Sequence, residues 1–343
     1  MTKRTDMETY RASDTPKNPD MSPCRDLSVI GLGLIGGSLL RAADAAGWKV
    51  RGATRSQATA AAARDAGFDV TSSIEDLLVG TAGDALVALA VPLPAVVDVL
   101  AMLARHAPRC RLTDVVSVKQ PVAAAVARRT PQARYVGGHP MAGTSASGWS
   151  AGSATLFNGA SWVVGSDEGA DLEVWAQVAR LALDCGAHVV PAGAAEHDAA
   201  VARVSHLPHV LAAVLASVGA DGGPLAMALG AGSFTDGTRV AASAPELVRA
   251  MCEGNRDALL DAVDDALGRL GAARGSLAST GALAATLETG HRARQAFDAR
   301  HDRDDTADVD LATPGVLHQL RKVGQSGGRV VALEGTRCRV VRA

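Results

Sequence analysis

Two short stretches carry residue types that could do chemistry. In "VIGLGLIGGSL", Gly31, Gly33 and Gly36 fit the spacing G-x-G-x-x-G. The first glycine of that pattern permits a tight turn, the second lets a pyrophosphate approach the backbone, and the third lets a helix pack closely on a strand. In "GGHPMAGTSASG", Gly137 to Gly148, mostly small residues surround one imidazole, His139. Such a stretch contributes little to a core. An imidazole, whose ordinary pKa lies near neutrality, is the side chain best suited to taking or giving a proton there.

The elements around the glycines follow from periodicity. Leu27 to Ile30 form a short apolar run ending at Gly31; Ser38 to Ala46 continue with helical spacing until Gly47, and a second strand follows at Lys49 to Thr54. This is a βαβ unit with the glycines in its first turn, the context in which the pattern binds a dinucleotide. Leu34 and Ile35 open the helix whose amino terminus meets the phosphates. At the end of the second strand an acidic residue would hold the ribose hydroxyls of NAD, but this chain has Thr54, Arg55 and Ser56. Arg55 could pair with a 2′-phosphate and Ser56 could hydrogen-bond it, which favours NADP over NAD; the alternative is a solvated surface charge.

Further strands are expected at Ala85–Leu93, Arg111–Lys119, Ala160–Ser166 and His188–Val190, with helical stretches such as Ala95–Arg105 between them. Strands alternating with helices predict a doubly wound Rossmann-like sheet over 25–193, with ligands beyond the carboxyl ends of its strands. Ser117 and His139 both fall at such ends. From Ala194 the pattern turns to long Ala/Leu/Val helices, which predicts an all-α domain over 194–299 that associates with a second copy. Residues 300–343 read as a solvated linker to about Asp310 and a small two-strand hairpin over Gly327–Ala343, and residues 1–24 as a disordered tail.

Composition narrows the function classes. The chain has 343 residues, a formal charge of −2 and 3% aromatic residues, so neither a polyanion nor stacked bases are expected partners. Its amino terminus lacks an apolar signal region, and its most apolar stretch, Ala85 to Leu103, is broken by Pro92, Pro94 and Asp98, which argues against a membrane span. Five scattered cysteines without CxxC spacing fit reduced thiols in a cytoplasm. His206 and His209 in "SHLPH" share a helix face, yet no nearby acid or thiol completes a ligand set, so no metal is expected.

Taken together, "VIGLGLIGGSL", "SVK", "GGHPMAGTSASG", "VSHLPH" and "FTDGTRVAASAPELVRAMCEGN" resemble, in order and separation, the prephenate and arogenate dehydrogenases of tyrosine biosynthesis, over roughly 27–268. The resemblance implies oxidation of a ring 4-hydroxyl by hydride transfer to NAD(P)+, with loss of the ring carboxylate as CO2, in a homodimer. It implies that His139 is the catalytic histidine and that Ser117 bonds the 4-hydroxyl and helps orient it. Arg239 would bind a substrate carboxylate, and His206, His209, Thr144 and Asp236 would lie along the substrate cleft. Ser145 and Val248 stand where relatives often carry Glu and Trp, which points to a differently gated cleft and insensitivity to tyrosine. The order of the motifs argues against other Rossmann-plus-helical reductases, and the presence of His139 and Ser117 against a non-catalytic module.

Overall fold

A computed structural model describes residues 24–144, 146–301 and 305–342. The expected disordered tail, apart from Cys24, and the departure at Ser145 lie outside the described residues.

Six strands, β1 (Asp26–Ile30), β2 (Lys49–Ala53), β3 (Val70–Thr71), β4 (Leu86–Leu89), β5 (Arg111–Asp114) and β6 (Arg134–Tyr135), form a sheet in the order β3-β2-β1-β4-β5-β6. All its pairings are parallel. The crossovers are α1 (Leu34–Ala45), α2 (Gln57–Asp65), α3 (Ile74–Val79), α4 (Leu93–His106) and α5 (Gln120–Arg129). Every residue of β4, Leu-Val-Ala-Leu, is buried, as a strand covered by helices on both faces must be.

The expected strands at Ala160–Ser166 and His188–Val190 do not extend this sheet. They belong to a second one, built from β7 (Gly138–Pro140), β8 (Ser161–Gly165), β9 (His188–Ala192), β10 (Thr306–Asp310), β11 (Arg329–Glu334) and β12 (Arg337–Val341) in the order β10-β12-β11-β9-β8-β7. The chain changes sheets at Gly137–Gly138, where a Cβ on Gly138 would lie 2.8 Å from the Asp114 carbonyl oxygen and 3.1 Å from Trp162 Nε1. Backbones that approach so closely admit only glycine. Helix α6 (Leu172–Asp184) joins β8 to β9 and packs between the two sheets through Trp175 and Val178.

The carboxyl-terminal segment also departs from expectation. β11 and β12 are the expected hairpin, but Thr306–Asp310, read as a solvated linker, is a strand paired with β12. Asp308 and Asp310 alternate with half-buried Ala307 and Val309, so the charges occupy only the outer face of a strand.

In chain order, the helices α7 (Ala194–Val201), α8 (Leu207–Asp221), α9 (Gly223–Ala228), α10 (Gly232–Thr238), α11 (Pro245–Gly254), α12 (Arg256–Thr280) and α13 (Ala284–Asp298) come between β9 and β10. A fourteenth helix, α14 (Val316–Gln325), packs back on β9 from the carboxyl-terminal segment.

Candidate active site

The glycine turn has the geometry its spacing predicts. Gly31 holds φ +98°, and a Cβ there would lie 2.4 Å from the Ala90 carbonyl oxygen. A Cβ on Gly36 would meet the Gly31 oxygen at 1.9 Å, which is the close helix-to-strand approach. Gly33 has nothing within 4 Å of its Cβ position, leaving its face open at the amino terminus of α1. This open cradle, with backbone N–H groups of Leu34 and Ile35 in the first turn, fits a pyrophosphate.

A cleft of about 460 Å³ continues from the cradle past Ala53, Thr54, Arg55, Ser56, Ser73 and Glu75. Ser56 is already engaged in the fold, since its Oγ accepts from the Thr59 backbone N–H at 3.2 Å and caps α2, leaving the hydroxyl proton for a ligand. Glu75, whose Oε2 accepts from Ser73 Oγ at 3.2 Å, is a carboxylate in the same cleft that sequence reading did not single out.

His139 lies not in a loop but in the middle of β7, buried, paired with Val163 of β8. Its strand is held to the end of β5 by a buried ion pair: Lys119 donates to Asp114 and, at 2.6 Å, to the carbonyl oxygen of Gly138, next to His139. Tyr135 Oη donates to the other Asp114 oxygen at 2.6 Å. Burial pushes the Lys119 ammonium below its ordinary value against the pull of Asp114, and pushes the Tyr135 hydroxyl well up, so the phenol stays protonated. Ser117 is half-buried in the turn between Asp114 and Lys119. His139 therefore stands beside the carboxyl end of β5, the sheet end from which the glycine turn also projects.

The partner of His139 comes from α7. His139 Nδ1 lies 2.8 Å from His197 Nε2, and His197 Nδ1 lies 2.7 Å from Asp198 Oδ1. Asp198 also accepts from the backbone N–H groups of Lys119 at 2.8 Å and Gln120 at 2.9 Å, the amino terminus of α5. Burial alone would raise the Asp198 pKa, but the bonds from His197 and these two N–H groups hold it below the usual range. His139 is driven well below its ordinary value by burial first, then by His197, Lys119 and His206. Neither His197 nor Asp198 was expected from sequence. The signal was present in "AAEHDAAV", where Glu196, His197 and Asp198 stand together in an alanine-rich helix.

The chain next widens into a π turn over Ala202–His206, a local insertion that re-aims side chains and is frequent at functional sites. His206 is fully buried, with Nδ1 3.1 Å from Asn255 Nδ2, and burial carries its pKa down to about 4. His206 Nε2 and His209 Nδ1 are buried without a hydrogen-bond partner. Buried polar atoms in that state are uncommon unless a ligand, water or subunit supplies the partner. The structure thus gathers His139, His206 and His209, and adds His197.

Three expected residues sit apart from this cluster. Thr144 is exposed and closes its own turn, accepting from the Ala146 N–H at 3.2 Å. Asp236 and Arg239 are exposed in this protomer, although Arg239 lies near enough to His209 to help burial lower its pKa.

This arrangement of nucleotide cradle, buried imidazoles and helical half has relatives. A family model described as the nucleotide-binding domain of prephenate dehydrogenase matches residues 40–191, and one described as its dimerization domain matches residues 193–282. The chain belongs to the prephenate dehydrogenase family. It is 32% identical over 296 residues to cyclohexadienyl dehydrogenase of Zymomonas mobilis, covering 82% of this chain and 99% of that one. Against prephenate dehydrogenase of Bacillus subtilis it is 33% identical over 243 residues, 68% of this chain and 65% of that enzyme's length. Prephenate dehydrogenase of Aquifex aeolicus, solved with hydroxyphenyl propionate and NAD+, superposes with a TM-score of 0.72 at 25% identity, over 80% of this chain and 98% of that one. Family membership makes the chain an NAD(P)-dependent oxidoreductase with a Rossmann-like domain followed by a helical one.

Proposed function

We propose that the protein is a prephenate dehydrogenase, oxidising the ring C4 hydroxyl of prephenate with loss of the ring carboxylate as CO2 to give 4-hydroxyphenylpyruvate. The observation that carries this reading is His139, a buried imidazole held neutral beside the carboxyl end of β5, on the sheet edge where the glycine cradle opens. NAD(P)+, when bound in that cradle, supplies the hydride acceptor. The chain's own residues then have to manage one proton and two carboxylates.

His139 Nδ1 is engaged by His197, so Nε2 is the nitrogen that takes the C4 hydroxyl proton as the carbonyl forms. Once the ring carboxylate departs, its bonding pair aromatises the ring, and the same nitrogen returns the proton to the phenolate oxygen. Ser117 bonds the hydroxyl, and Arg239, a planar and permanently charged fork, holds a substrate carboxylate. His206 and His209 line the cleft, and Thr144 and Asp236, exposed and apart from the histidines here, would join it with substrate bound. The orphaned His206 Nε2 and His209 Nδ1 support that placement.

Arg55 and Ser56 at the cleft support NADP+ as the preferred cofactor, and the protein works as a homodimer through its helical half. The described cysteines are all free thiols, which supports a cytoplasmic location. Arogenate is the second substrate reading, since it differs only in the side chain far from the reacting carbon. Reduced-nicotinamide absorbance with prephenate and arogenate, each with NADP+ and NAD+, tests all of this at once. Prephenate with NADP+ is expected to be turned over fastest, and Arg55→Ala to lose about tenfold or more in kcat/KM for NADP+ while leaving NAD+ nearly unchanged. No turnover in any mixture would overturn the substrate assignment.

A further inference from the structure

The bonds behind His139 form a directed chain. Asp198 accepts from the backbone N–H groups of Lys119 and Gln120, which can only donate and favour the ionised carboxylate, so the His197 nitrogen that faces it has to be a donor. His197 therefore carries a proton on Nδ1, and as a neutral ring it presents Nε2 to His139 as a lone pair. The 2.8 Å contact then requires a proton on His139 Nδ1 and a lone pair on His139 Nε2. The two rings stand edge to face, 73° between planes, which brings a nitrogen of each to the shared bond.

We propose that His197 and Asp198 are positioning residues that fix the tautomer of His139, so that Nε2 is always the proton acceptor, and that stabilise the imidazolium formed during turnover. The inference rests on His139 being the general base. The proton released by the C4 hydroxyl bonds to His139 Nε2, and the Nδ1 proton stays in the bond to His197. When the phenolate forms, the Nε2 proton leaves for its oxygen, and the relay returns to its starting state with nothing else consumed. The helix amino terminus of α5 keeps Asp198 ionised throughout, so the negative end of the relay does not itself need to gain a proton. This is the logic by which a buried carboxylate orients a catalytic imidazole in acyl-transfer triads, extended here by a second ring.

The groups facing His139 are His197 from α7, His206 from the π turn, and Lys119 from the turn before α5, with Asp198 one bond beyond His197 and the Asp114–Tyr135 pair beyond Lys119. Of the carboxylates, Asp198 alone is wired to the His139 ring. Replacing its charge by an amide weakens the base and moves the acid limb of the pH profile downward.

The test uses the full chain with Asp198→Asn and His197→Gln. Asp198→Asn is expected to lower kcat by two to four orders of magnitude, with KM changed less than about threefold and the acid limb of kcat shifted to lower pH. His197→Gln offers a carbonyl oxygen that accepts from His139 Nδ1, and is expected to lower kcat less than Asp198→Asn does while keeping the Nδ1–H tautomer at His139. Nitrogen-15 NMR of histidine-labelled protein, with His139 assigned by its loss in His139→Gln, gives a readout independent of turnover. Wild type should show the Nδ1–H tautomer at His139, and Asp198→Asn the Nε2–H tautomer. An Nε2–H tautomer in wild type, or an unchanged tautomer and acid limb in Asp198→Asn, would overturn the relay. Absence of wild-type turnover with an Nδ1–H tautomer would overturn the substrate reading and leave the relay standing.

Discussion

At the scale of single residues, burial of imidazoles sets how the fold responds to acid. His206 is fully buried and neutral, with a folded pKa of about 4 against an ordinary 6.5. Because the folded value is depressed, the unfolded chain binds the proton first. The residue's stabilising contribution is complete above pH 6.5 and is lost as pH falls through the window down to about 4. For this one group the loss is on the order of 3 kcal/mol. Urea unfolding at a series of pH values should show the midpoint dropping across that window, and His206→Gln should flatten the slope; an equal slope in the variant would refute the assignment. The glycines, His139 and the SHLPH histidines were legible in the sequence because each is a local signal, a turn or a short motif. His197 and Asp198 were not, because what defines them is a bond to His139 across 58 positions, and a polar run in an alanine-rich helix looks the same whether it is solvated or buried.

Among the elements, the first sheet could be read strand by strand, since each βα unit closes on its neighbour. The second sheet could not: β9 meets β11 through Val189 and Val330, roughly 140 residues apart, and no local pattern announces such a pairing. Charges in "RDDTADVD" then hid a strand whose inner face is only half-buried. Helix α14, which follows that strand, touches the site's supporting helix. Arg321 and Gln325 of α14 donate to Glu196 at 2.5 and 2.7 Å, and Glu196, held down to about 2 mainly by Arg321, precedes His197. Packing rather than charge should dominate here, because the ion pair is about a third exposed while Leu320 is fully buried. Leu320→Ala is expected to cost about 2–5 kcal/mol in chemical denaturation, and Arg321→Ala less than about 1. The reverse order would mean that α14 is held by its charges and not by its core.

For the whole molecule, the exposed apolar surface is concentrated on the helical half. Leu211, Val214, Leu215 and Val218 lie at i, i+3, i+4 and i+7 of α8, each more than 40% exposed. Residues Ala194–Asp221 are long and apolar enough to span a bilayer by composition, but His197, Asp198 and His206 are locked into polar contacts in their first half, which favours a protein partner over lipid. The homodimer proposed above would account for both observations if its second copy covers the α8 stripe. Val214→Glu with Val218→Glu should halve the mass measured by light scattering, and an unchanged mass would place the interface elsewhere. The sheet order β10-β12-β11-β9 adds a mechanical consequence. Successive antiparallel pairings bring the end of β9 and the start of β10 to the same rim of the sheet, three strand spacings or roughly 14 Å apart. The helical half is thus suspended from two anchors on one rim, not from a single tether. Those anchors add to the bonds that α7 makes to His139 and to the amino terminus of α5, so the helical half is tied at both ends of its chain and at the site between them.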